Sequence, residues 1–119
     1  MSKALKLALM LTAAATVAGC QTAPKSLYQW ESYQPQVYEY FKGEPKEQQV
    51  EVMEQDLQKI NASGHQAPPG YHAHLGMLYL SMGKDDQMVQ ELRTEKALFP
   101  ESASYMDFLL KNANAGDVK

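Results

Sequence analysis

Between Lys46 and Ala62 the apolar residues Val50, Met53, Leu57 and Ile60 recur at spacings of three, four and three, with Glu, Gln and Lys around them. That spacing keeps one stripe on a 3.6-residue turn and predicts an amphipathic helix. Asn61-Ala-Ser-Gly64 gives its stop, and GHQAPPG reads as a loop. The next stretch, YHAHLGMLYLSMG, is apolar at Leu75, Leu78, Tyr79 and Met82 but also at Met77 and Leu80. A helix apolar on more than one side is sandwiched between neighbours. Gly83-Lys-Asp-Asp86 predicts a turn with Asp85 or Asp86 as N-cap. The helix from about Gln87 to Phe99 presents Met88, Val89, Leu92 and Phe99, and Pro100 ends it. Ser102 is expected to cap a last helix carrying Tyr105, Met106, Phe108, Leu109 and Leu110. Upstream, Pro35 suits the first turn of a short helix that Gly43 and Pro45 close. No stretch alternates with period two. The pattern predicts an all-α domain over residues 28–113: two antiparallel helical hairpins plus a C-terminal helix, with 114–119 as a flexible tail.

The first residues follow a different pattern. Lys3 and Lys6 precede a short apolar run, then small residues up to Val17-Ala-Gly19 and the chain's single cysteine, Cys20. A charged front, a short apolar centre and a small-residue end are the anatomy of an export signal. The run is too short and alanine-rich for a spanning helix, which needs about 20 predominantly apolar residues. Val-Ala-Gly before Cys is also the pattern of a bacterial lipobox. Residues 1–19 are therefore expected to be removed as a lipoprotein signal peptide. Residues 20–27 would form the lipidated tether, with Cys20 as the diacylglycerol site. Two or more acyl chains give stable anchoring where one gives only marginal binding. In the lipoprotein class an Asp after the cysteine favours inner-membrane retention. By that resemblance Gln21 implies the outer membrane, with the domain facing the periplasm.

The whole chain has a formal charge of −3, and losing Lys3 and Lys6 with the leader makes it more acidic. Such a chain is poorly suited to nucleic acid or to an anionic bilayer surface. His65, His72 and His74 invite a metal reading. However, His72 and His74 stand at i and i+2, pointing apart on a helix, and no His-Glu-x-x-His accompanies them. Ser63, Ser81 and Ser102 lie at turn or cap positions, outside any Gly-x-Ser-x-Gly elbow. Paired carboxylates such as Glu47, Glu51 and Glu54 read as a solvated face. No catalytic residues, no metal and no cofactor beyond the lipid are expected.

Leu75-Gly76-x-x-Tyr79-x-x-x-Gly83, with Pro100 closing the following helix, resembles a tetratricopeptide repeat (TPR). Two departures stand out: Met88 and Glu95 occupy positions where that repeat carries small residues. The resemblance implies a TPR-like fold in which Ala73, Met77, Leu80 and Ser81 line a concave groove. A broader resemblance rests on LYQWESYQPQVYEYFKG, APPGYHAHLGMLYLSMGK and EKALFPESASYMDFLLK. These blocks are similar to those of an uncharacterised family of small proteobacterial lipoproteins, named only as a domain of unknown function. Glu31 stands after Trp30 where glycine is expected in that family. The family's association with CsgG/HfaB-like lipoproteins, of the curli-secretion-channel type, implies an envelope assembly of several lipoproteins.

Six of the eleven aromatic residues fall between Tyr28 and Phe41, directly after the tether. Tyr33, Val37, Tyr40 and Phe41 are expected to serve as core, but so short a helix cannot bury every ring. Tyr28, Trp30 and Tyr33 are thus candidates for partner binding, because Tyr and Trp bring large contact area at low entropy cost. Ala73, Met77 and Leu80 form the second candidate surface. The expected function is that of a non-catalytic accessory or assembly subunit of an envelope lipoprotein complex. The alternative is a cell-wall or small-ligand binding lipoprotein that stacks its ligand on Tyr28, Trp30 and Tyr33.

Overall fold

The computed structural model of the chain describes residues 2–8 and 26–116, with side chains as far as residue 113. Residues 3–8 are helical. The helices of the domain, numbered from its start, are α1 (Tyr33–Lys42), α2 (Lys46–Ala62), α3 (Tyr71–Ser81), α4 (Asp85–Leu98) and α5 (Ala103–Gly116). A 3₁₀ turn, Pro100–Ser102, joins the last two. Among the described residues there is no strand, and the chain is all-helical.

Local chemistry explains the boundaries. Pro35 lies in the first turn of α1, where a missing N–H costs no helical bond. Gly43, at φ +79°, ends the helix in the left-handed conformation. Its N–H donates to Tyr40 O while the Glu44 N–H donates to Glu39 O, both at 3.1 Å, closing the carbonyls in a Schellman pattern. Two expected caps differ. Lys84 holds the N-cap position of α4, and Asp85 and Asp86 lie inside its first turn, where their charge still complements the helix dipole. Ser102 sits within the 3₁₀ turn, and its hydroxyl donates to Phe99 O at 2.7 Å instead of accepting from α5.

The core draws on every helix after α1. Val50, Met53 and Ile60 of α2 are buried as their spacing predicts, with Leu57 half-buried beside them. Tyr71, Leu75, Leu78 and Tyr79 of α3, Met88 and Leu92 of α4, and Met106 of α5 complete it. Each such side chain contributes about 1.5–3 kcal/mol on leaving water. Gly76 explains the closest helix approach. A Cβ there would lie 3.1 Å from Leu92 Cδ2 and 3.3 Å from Glu91 Cβ, so any larger residue would have to push α4 side chains back by a few tenths of an ångström. Tyr33 and Tyr40 of α1 lean on the core from outside. Phe41, expected inside with them, is 79% exposed. Adjacent helical residues are about 100° apart, so Tyr40 facing inward turns Phe41 away.

Candidate docking surface

A set of polar ties holds the segment before α1 against the rest of the domain. The Gln29 N–H donates to Gln66 O at 2.9 Å. Asp56, buried on α2, accepts from the Ser32 N–H at 3.1 Å, from the Ser32 hydroxyl, and from Lys59 Nζ at 2.9 Å. Burial pushes the Asp56 carboxyl up, but the Ser32 and Lys59 hydrogen bonds outweigh it and hold it below the ordinary carboxylate range. A depressed folded value means that the stabilisation is present above the unfolded value of about 3.9 and fades as pH falls through the folded one. Acidification below that range should therefore release Ser32 and the neighbouring Trp30. Tryptophan emission, which has a single source in this chain, should shift red there, and Asp56→Asn should abolish the step.

Glu31, beside this tie, is the described non-glycine residue with positive φ, at +42°. Its left-handed backbone gives a physical reason for glycine at this position. Glu31→Gly should raise stability by about 0.5–1 kcal/mol in urea unfolding, because relief of the strained backbone exceeds the added freedom of the unfolded chain.

The candidate binding residues separate into different environments. The Tyr28 ring meets Phe99 edge-on at 5.9 Å. Trp30 is 41% exposed and tilted over Tyr33 at 6.1 Å. Tyr33 is half-buried against Tyr71, with ring centroids 5.3 Å apart. Burial, with the Glu95 charge as a second cause, raises its phenol above the ordinary range. Trp30, Tyr33 and Tyr71 thus form a chain of rings running into the core, while Tyr28 packs separately on Phe99. Of the α3 set, Ala73 and Leu80 pack against the core, and Met77 is half-buried. Ser81 alone of that set is exposed. Cys20 and residues 9–25 lie outside the described residues.

The histidines have separate surroundings. His65 Nδ1 is 3.0 Å from Ser63 Oγ, and His72 Nδ1 is 2.6 Å from Glu91 Oε2. His74 lies edge-on to the rings of Tyr33 and Tyr40, and its buried Nε2 has no hydrogen-bond partner among the described residues. Burial pushes that imidazole below its ordinary range. Glu95 was legible only as a departure from a repeat. In the structure it is buried and accepts from the Gly70 N–H at 2.6 Å and the Ala73 N–H at 3.2 Å. It thus supplies the start of α3 with an acceptor from a different helix.

The surface that sequence periodicity does not single out is on α4 and α5. Tyr105 and Phe108 are 61% and 57% exposed, and their rings stack with centroids 6.3 Å apart and planes 15° from parallel. Leu98, just before the 3₁₀ turn, is also exposed. It closes one end of a shallow groove of about 550 Å³ along a flank of α4, with Val89 and Ala97 as its other apolar lining and Asp86 and Arg93 among its polar lining. Lys96 Nζ bridges to Asp107 Oδ1 at 2.6 Å and ties α4 to α5 beside these rings. The available signal was the apolar run in α5 on two sides, which a helix packed on one side only cannot bury.

Among the described residues no helix is long and apolar enough to cross a membrane. No curated protein and no solved structure matches the chain. A family described as a domain of unknown function, DUF4810, matches residues 27–109, which spans α1 to α4 and half of α5. The chain belongs to the DUF4810 family.

Proposed function

We propose that this protein is an outer-membrane lipoprotein, anchored through Cys20, whose periplasm-facing domain is a non-catalytic assembly subunit of an envelope lipoprotein complex. Its mechanism is docking. The observation that carries the reading is the stacked, exposed Tyr105–Phe108 pair on the last helix. Large apolar side chains exposed side by side mark an interaction surface. Contacts between α3 and α4 climb one helix while descending the other, from Gly70 and Ala73 against Glu95 to Gly76 against Glu91 and Leu92. This supports reading them as one TPR-like hairpin, with α1 and α2 as a degenerate first pair and α5 packed after them. A partner lipoprotein, of the CsgG/HfaB-like kind or another, would cover the exposed pair.

The test is in-cell cross-linking of the C-terminally tagged chain, followed by mild solubilisation and identification of what co-purifies. Another envelope lipoprotein should be recovered from the native chain. Recovery should fall at least about tenfold with Phe108→Glu, because a desolvated aromatic anchor at an interface centre is worth roughly 2 kcal/mol or more. The side chain is exposed, so the fold should be unaffected and the circular dichroism unchanged. Repeated recovery of the protein alone would sink the docking reading.

The alternative, binding of cell wall or a small ligand, has one observation in its favour. A cavity of about 470 Å³ lies at the domain's entry, lined by Ser26, Tyr28, Gln29 and His65. Saturable binding of isolated peptidoglycan, lost with Tyr28→Ala, would select it.

A further inference from the structure

We propose that the flank of α1 bearing Tyr38 and Phe41 rests on the surface of a phospholipid bilayer. The inference rests on the lipid anchor assigned to Cys20 and adds a second contact with the same membrane. Phe41 is 79% exposed and Tyr38 64% exposed. Three residues apart, they lie side by side on one flank of the helix, away from Tyr33 and Tyr40, which lean on the core. Lys42 completes the set, with its Nζ 5.4 Å from the centroid of the Tyr38 ring. An apolar ring, a phenol and a long cationic side chain suit the boundary between acyl chains and headgroups. Their apolar bodies sink there while the polar tips stay hydrated.

The length of the tether supports a bilayer as the occupant. Leu27 follows Cys20 by seven residue steps, which span at most about 25 Å when extended. Leu27, where the described chain resumes beside Ser26, is itself 82% exposed. The ties at Gln29 and Ser32 then fix α1 close to the end of that tether. Charge favours a zwitterionic lipid. Lys42 pairs with Glu39 at 3.2 Å and Glu44 at 3.5 Å, so the flank carries no excess of positive charge to select an anionic partner.

The full processed protein, purified from membranes, would be reconstituted in phosphatidylcholine vesicles and floated on a density gradient. It would carry Phe41→Trp in a Trp30→Phe background, so that emission reports position 41 alone. Phe41 is a surface residue, and its replacement leaves the core intact. The expected result is flotation with a blue-shifted emission that is lost when the vesicle lipid is brominated near the headgroup, matching a depth of about 5–10 Å. Tyr38→Glu in the same chain should restore emission while flotation persists. Flotation with water-like, unquenched emission would overturn the bilayer contact and leave the anchor standing. Failure to float would overturn the anchor and the contact together. Capture of a protein rather than lipid by a photo-cross-linker at position 41 would also overturn the contact, in favour of a protein partner.

Discussion

Tyr71→Ala should lower the unfolding free energy by about 3–5 kcal/mol, the cost of removing a large ring from a packed interior. The Tyr71 side chain is fully buried and lies where four segments of the chain meet. Its ring packs against Tyr33 of α1, its hydroxyl donates to Met53 O of α2 at 2.7 Å, and it opens α3 directly after the Pro68–Gly70 bend. Burial holds the phenol well above its ordinary range, so it stays neutral and remains a donor at neutral pH. The truncation therefore leaves a cavity beneath α1 and removes the donor to α2. Tyr71→Phe isolates the second effect and should cost only about 1 kcal/mol. Urea denaturation of both variants checks the pair. A loss near 1 kcal/mol for the alanine variant would mean that the surrounding helices collapse into the space, contrary to the close packing around it.

Glu95→Ala is expected to cost about 2–4 kcal/mol, because the carboxylate serves two backbone donors at the start of α3 and each charge-assisted bond is worth roughly 1.5–3 kcal/mol. Some of that sum is offset, since the variant no longer holds a charge away from water. Glu95→Gln retains an acceptor and should lose about half as much or less. Denaturant midpoints of the two variants separate the readings. Equal losses would show that the side chain acts through its volume and not through its acceptor atoms. The same replacement should loosen Gly70, whose left-handed backbone at φ +92° brings it against the Tyr33 hydroxyl.

The two variants also show what the sequence could and could not reveal. Val50, Met53 and Ile60 were legible because burial along α2 follows a single stripe, which spacing reports directly. Gly76 stood out in the sequence only through the Leu-Gly-x-x-Tyr pattern, and the structure sets it against Glu91 and Leu92. Glu95 was not legible. Its partners are backbone N–H groups 22 and 25 residues away, and no periodicity records such a pairing. The exposed surfaces were harder still. α3 is apolar on more than one side, and Ala73 and Leu80 are partly buried against the core. α5 is apolar on two sides, and a linear pattern cannot tell that Met106 would take the inner side and leave Tyr105 and Phe108 outside. Phe41 was misplaced for a related reason: two neighbouring rings cannot both face the core of one helix.

The clasp between Ser32 and Asp56 has a mechanical side. Tension applied at the amino end enters the domain at Tyr28 on Phe99, then at Gln29 on Gln66, and next at Ser32 on Asp56. These ties are loaded in turn, so they break in succession, as a zipper opens. The buried contacts among α2, α3 and α4 bear no load until the leading segment and α1 have peeled away. A domain pulled from that end yields at its leading segment and keeps its shape beyond it.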